Sequence, residues 1–135
     1  MMKRTPALCA VSLMLALGAC NSGDGGLAGK CESPQAAADL SALPDGIALE
    51  EYGTVVRARK SNGFVGAQAV ADAGVDKLYT PLLNLLKEGG YEIVGEDNEG
   101  FEAEIFFTRE TNSGSLILRE GDCAGATNIT LTYGA

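Results

Sequence analysis

The sequence predicts an α+β fold of two layers, an antiparallel sheet meander packed on one main helix, with elements in the order αββαββββ. Three observations carry this. Between residues 75 and 88, Val75, Leu78, Tyr79, Leu82, Leu85 and Leu86 recur at three- and four-residue spacing, the apolar stripe of an amphipathic helix. Phe101, Ala103, Ile105 and Phe107 alternate with Glu102, Glu104, Phe106 and Thr108, the period of a half-buried strand. Short turn signals separate the apolar runs, so successive strands should return antiparallel.

The elements follow in order. Ser33-Pro34 is a helix start, with a hydroxyl at the N-cap and proline at the first helical position. A short helix is expected over Gln35–Leu43, stopped by the turn Pro44-Asp45-Gly46. Ile47–Glu51 reads as a short strand or an extended lead-in. Thr54–Lys60 is a strand with Arg57 and Arg59 on one face and Val56 and Ala58 on the other. Asn62-Gly63 marks a hairpin, because these residues accept the positive φ of a tight turn. Phe64–Ala71 returns as its partner. The small residues there, Gly66, Ala67, Ala69 and Ala71, suggest that a helix packs closely above.

That helix is the stripe at 75–88, capped by Asp76 and ended by Gly89-Gly90, with Pro81 bending its first turn or Thr80-Pro81 beginning it. Tyr91–Gly95, Phe101–Glu110, Ser115–Glu120 and Thr127–Tyr133 are the remaining strands. Their turns are Glu96–Gly100, Thr111–Gly114 and Gly121–Ala126.

The first nineteen residues read as an export signal, residues 20–30 as a tether and residues 31–135 as one domain. Lys3 and Arg4 form a positive n-region, and Ala7–Leu17 is uncharged. That run is too short for the ~20 residues of a membrane span and suits a signal-peptide core. Small residues then lead to a cysteine. Leu17-Gly18-Ala19-Cys20 resembles a bacterial lipobox, with an aliphatic residue at −3, small residues at −2 and −1, and Cys at +1. The resemblance covers only these first twenty residues. It implies diacylglycerol on the Cys20 thiol, cleavage before Cys20, and acylation of the new amino group, palmitate being a usual chain. Two or more acyl chains anchor a protein stably where one is marginal. In the enterobacterial sorting pattern Asp at +2 retains a lipoprotein in the inner membrane. Asn21 stands there instead, which implies the outer membrane, with the domain facing the periplasm or the cell surface. The rival reading is an ordinary secretory signal cut after Ala19, which would prefer a small residue where Leu17 stands. Asn21–Gly29 is rich in Gly and Ser, a flexible tether spanning ~15–18 Å.

The mature chain expected from this cleavage has 116 residues, with 8 basic against 18 acidic side chains and a net charge of −10. Its length suits one domain with a modest core. Its acidity argues against nucleic acid, which needs a basic footprint, and against direct docking on anionic lipid. It fits a basic partner, or solubility alone. Cys31 and Cys123 remain as an even pair in an oxidising compartment, expected to form a disulfide. The alternative is metal ligation, but two thiolates in a chain without histidine make a poor zinc site.

Signs of catalysis are sparse. The absence of histidine removes the usual general base and metal ligand. No Gly-x-Ser-x-Gly elbow or P-loop is present, and no cofactor or metal is expected. Glu92, Glu96, Asp97, Glu99, Glu102 and Glu104 crowd one hairpin. They read as a solvated, edge-protecting face, as a docking surface for a basic partner, or as a Ca²⁺ or glycosidase-type carboxylate site. Arg57, Arg59 and Lys60 form the one basic cluster, an exposed strand face or a contact for an envelope anion. Phe106 is large and apolar on the polar side of its strand, the mark of an interaction patch or of a residue covered by a loop.

The function expected is that of a non-enzymatic envelope lipoprotein, an accessory module that binds another envelope protein. Glu96, Asp97, Glu99, Glu102, Glu104 and Phe106 are the candidate contacts. The alternative is a small-ligand-binding or hydrolase-inhibitor lipoprotein, similar in size, disulfide use and address to small periplasmic lysozyme inhibitors. A cavity under the helix, lined by Gly66 and Ala69, would mark the ligand reading. A filled core with an exposed apolar patch would mark the partner reading.

Overall fold

The computed structural model describes residues 31–37 and 39–134. The expected signal, the lipobox with Cys20 and the tether lie outside the described residues. The domain is a six-stranded antiparallel sheet with one α-helix. The strands are β1 (Thr54–Ser61), β2 (Phe64–Ala71), β3 (Glu92–Asn98), β4 (Glu102–Arg109), β5 (Asn112–Glu120) and β6 (Thr127–Gly134). The helix α1 (Val75–Glu88) lies between β2 and β3 in the chain.

The expected order αββαββββ is overturned at its first element, and with it the two-layer arrangement of a helix-packed meander. No helix forms over the described part of 35–43. Ala37 instead donates its N–H to the Val55 carbonyl at 2.7 Å, which ties the segment to β1. A helix of nine residues is marginal by itself, and its alanines would bury little, so a tertiary partner for the backbone outweighs Ser33-Pro34. After the turn at Pro44–Ile47 the chain makes a 3-10 turn, Leu49–Glu51, where a short strand or an extended lead-in was expected.

The meander is also incomplete. The sheet order is β1-β2-β6-β5-β4-β3, so β3 to β6 do run as a meander, but β2 pairs with β6 and not with β3. The chain leaves β2 and re-enters at the far edge. That edge lies four strand spacings away, ~19 Å. At 14 residues α1 is ~21 Å long, enough to carry the chain across. β6 thereby becomes a central strand with ladders on both sides, and β1 and β3 become the two edges.

Local chemistry sets the joints. Asn62 and Gly63 both take positive φ, 51° and 84°, and close the β1–β2 hairpin as their sequence predicts. Gly74, not Asp76, is the N-cap of α1, and Asp76 sits in its first turn. Pro81 lies inside the helix, which runs through it from Val75. At the other end Tyr91 N–H bonds the Leu86 carbonyl and Gly90 N–H bonds that of Lys87, with Gly90 at φ 81°. This is a Schellman ending. The β4–β5 turn is tighter than expected. Glu110 accepts φ 58°, so β5 begins at Asn112, inside the stretch read as a turn.

One sheet face carries the core. Val55, Ala67, Ala69, Ala103, Ile105, Phe107, Leu116, Leu118, Ile129 and Leu131 are buried there, in one cluster with Leu78, Leu82 and Leu86 of α1 and with Ile47 and Leu49. The helix contacts β3, β4 and β5. It does not stand over the small residues of β2 as expected. Gly66 and Ala69 point to opposite faces, Ala69 into the core and Gly66 outward, where a side chain would meet nothing within 4 Å. They cannot line one cavity. Cys31 and Cys123 are joined, with Cα atoms 5.9 Å apart, which ties the start of the described domain to the β5–β6 turn.

Candidate functional site

The second face of the sheet is the candidate site. Two bulges decide what it carries. In β1 the pairing skips Val56, passing from Val55↔Ala69 to Arg57↔Gln68. Val55 therefore goes into the core in place of Val56, and Arg57 and Arg59 share the open face. In β3 the pairing skips Val94, passing from Ile93↔Phe107 to Gly95↔Phe106. Asp97 then pairs with Glu104 and faces out, whereas Glu96 pairs with Ile105 and takes the helix side.

The registers place these residues in transverse rows. One row reads Arg57, Gln68, Thr130, Ile117, Glu104, Asp97 from β1 to β3. The next reads Arg59, Gly66, Thr132, Ser115, Phe106, Gly95. The hydroxyls of Ser115 and Thr132 bond at 2.8 Å in its middle. A third row runs through Val70, Asn128, Arg119 and Glu102. There Arg119 donates two bonds to the Glu102 carboxylate, at 2.9 and 3.0 Å, which raises the Arg119 pKa. Between β1 and β5 the face forms an open groove of about 500 Å³, lined by Val56, Gln68, Val70, Ile117, Arg119 and Asn128 among others.

Phe106 is 42% exposed on this face, and Phe64, at the start of β2, is 57% exposed. Phe64 packs beside Gly134, where a Cβ would fall 2.6 Å from its ring. The charges are sorted by strand. Arg57 and Arg59 lie at the β1 edge, and Glu102, Glu104 and Asp97 lie on β4 and β3. The Arg119–Glu102 pair is the one ion pair among the described residues.

The six acidic side chains expected in one patch are thus divided. Glu92, Glu102, Glu104 and Asp97 face out with Phe106. Glu96 takes the other side, near Tyr79 of α1. Burial first, then Glu96 and Asp97, holds the Tyr79 hydroxyl protonated above its ordinary pKa. Glu99 sits in the β3–β4 turn, donating its N–H to the Glu102 carbonyl. Among the described residues no three His, Cys, Asp or Glu side chains are grouped to hold a metal ion.

Gln68 and Ile117, which also line this face, belong to no motif. The signal was present at Ile117, which sits between Leu116 and Leu118 in a run that is apolar at every position. A strand with one wet face would place a polar residue there.

A second hollow, at the opposite end of the sheet, holds a brace. Tyr91 Oη and Arg109 Nη1 both donate to the Asp45 carbonyl, at 2.8 and 3.2 Å. The Arg109 guanidinium lies 5.3 Å from the Tyr91 ring centre. Burial pushes the Tyr91 hydroxyl pKa up, and Arg109 opposes that shift. These groups satisfy one another and close the end of the core.

No helix among the described residues is long and apolar enough to cross a membrane. The chain matches no protein-family model, no curated protein and no solved structure.

Proposed function

We propose that the protein is a non-enzymatic cell-envelope lipoprotein whose domain docks a protein partner on the open face of its sheet. The anchor in this reading is the acylated Cys20, and residues 21–30 hold the domain close to the outer membrane on its periplasmic side. The observation that carries the docking reading is the pair of exposed phenylalanines, Phe64 and Phe106, on a face that no element of the described chain covers. A sheet face left to water normally carries polar side chains. Aromatic residues among charged and amide groups are instead the composition of a binding surface. The face carries both signs of charge, so a partner with both signs fits it better than a purely basic one.

The groove beside Gln68, Asn128 and Ile117 favours a second reading, a small polar ligand. Chemical crosslinking in intact cells, followed by affinity purification of the lipidated chain, separates the two. The docking reading expects one stoichiometric protein adduct, lost in Phe106→Asp, whose charge would be desolvated in the contact. An adduct of equal yield in that variant would refute the assignment of this face. A clean preparation without any protein adduct would leave the ligand reading.

A further inference from the structure

Resting on the docking reading, we infer that the occupant of the open face is a second copy of this chain, related by a two-fold axis along the strand direction between β5 and β6. The strand order makes the face self-complementary about that line. A two-fold there sets β1 over β3, β2 over β4 and β6 over β5 of the other copy, and leaves each transverse row facing itself in reverse.

The first row then matches across the axis, and in the second the ring meets its seat while Arg59 faces Gly95 at the rim. Arg57 faces Asp97 of the second copy, and Gln68 faces Glu104, with its amide able to donate to the carboxylate. Phe106 faces Gly66, the one position of its row where a Cβ would meet nothing within 4 Å. Each copy thus offers a ring at β4 and a seat for a ring at β2, and the symmetry forms the contact twice. Nearest the axis Thr130 faces Ile117, Thr132 faces Ser115, and Asn128 faces Arg119, the one charge at the centre. The Glu102 carboxylate, which faces Val70, is held by Arg119 of its own chain.

The dimensions suffice. Five strand spacings by about eight residues make a patch of ~24 by ~26 Å before side-chain relief is counted, comparable with the ~800 Å² per partner of a standard interface. Strands of two face-packed sheets run within ~30° of each other, as an axis along the strands requires.

The test places a photo-crosslinking side chain, Phe106→p-benzoylphenylalanine, in the full lipidated chain in intact cells. An adduct of twice the chain mass is expected, linked to the tryptic peptide Ser61–Lys77, which holds Gly66. β2 and β4 of one chain are three strand spacings apart, ~14 Å, and the doubled mass excludes a link within one chain. Two further variants check the pairing. Gly66→Trp, a substitution that the open space tolerates, should abolish the adduct by filling the seat. Arg57→Asp should weaken self-association about tenfold, because two attractive surface pairs become repulsive, and adding Asp97→Arg should restore it. A self-adduct mapped outside β2 would overturn the inference. An adduct with a different protein would also overturn it while leaving the docking reading intact. No adduct at all would count against both.

Discussion

Replacing Cys31 and Cys123 together by serine is expected to lower the unfolding free energy by about 4–5 kcal/mol, the chain-entropy value for a loop of this length. The two cysteines are 92 residues apart, so the bond closes nearly the whole domain. Cys31 itself is exposed. Little apolar surface is lost with the bond, and the effect acts through the unfolded chain, which gains freedom once the link is cut. A domain of this size has a total stability of only ~5–15 kcal/mol, so the loss removes a large part of it. Urea unfolding followed by far-UV circular dichroism measures the change. The denaturant dependence should also steepen, because an unlinked unfolded chain exposes more surface. Equal midpoints for the two proteins would show that the bond does not constrain the unfolded state.

A comparably large effect is expected from Phe107→Ala, about 3–5 kcal/mol. The Phe107 ring is 0% exposed. It meets Tyr91 edge-on at 5.2 Å and stacks with Tyr133 at 6.0 Å between ring centres. Its ring also covers Gly114, where a Cβ would lie 2.7 Å away. Truncation would open a cavity that these rigid neighbours cannot close. The next residue back supplies the contrast. Phe106→Ala removes the same ring from the other side of the same strand, and its cost to folding should stay within about 0.5 kcal/mol. Thermal or urea midpoints of the two variants, measured side by side, check this. Measured at a concentration where the chain is monomeric, similar losses at 106 and 107 would mean that the open face is packed against something within the chain itself.

How much of this was legible in the sequence depends on the range of each signal. The β1–β2 hairpin announced itself in Asn62-Gly63, α1 in its leucine stripe and Gly89-Gly90, and β4 in its alternation. Those features are set by residues within one turn or one strand of each other. Phe106 stood out for the same reason, as an apolar residue out of phase. The pairing of β2 with β6 joins residues about 60 apart, and no local signal distinguishes it from a pairing of β2 with β3. The failed helix at 35–43 is the same case. Ser33-Pro34 favours a helix locally, but the Val55 carbonyl and the link to Cys123 outweigh it. The bulges at Val56 and Val94 account for the rest. The bulge at Val94 turned Asp97 outward and Glu96 to the helix side, and the expected acidic patch is divided because β3 runs on to Asn98 through residues read as a turn.

The same parity explains why a reading by composition alone was a poor guide to the site. Glu96 and Asp97 are adjacent acids with opposite surroundings, one beside Tyr79 and the other beside Glu104. Arg57 and Asp97 lie 40 residues apart in the chain and at opposite edges of one row. What the open face offers a partner is therefore a property of strand order, with the helix only closing the other side.

Whether the open face is covered where the protein works is measured by hydroxyl-radical footprinting in intact cells and again after detergent extraction and dilution. Phe64 and Phe106 report on the open face, and Phe101, 55% exposed on the opposite side, serves as the internal standard. With the open face occupied in the cell, Phe64 and Phe106 are protected there and become reactive on dilution, while Phe101 reacts equally in both. Equal reactivity of all three in the cell and after dilution would contradict it, because the open face would then be bare where the protein works.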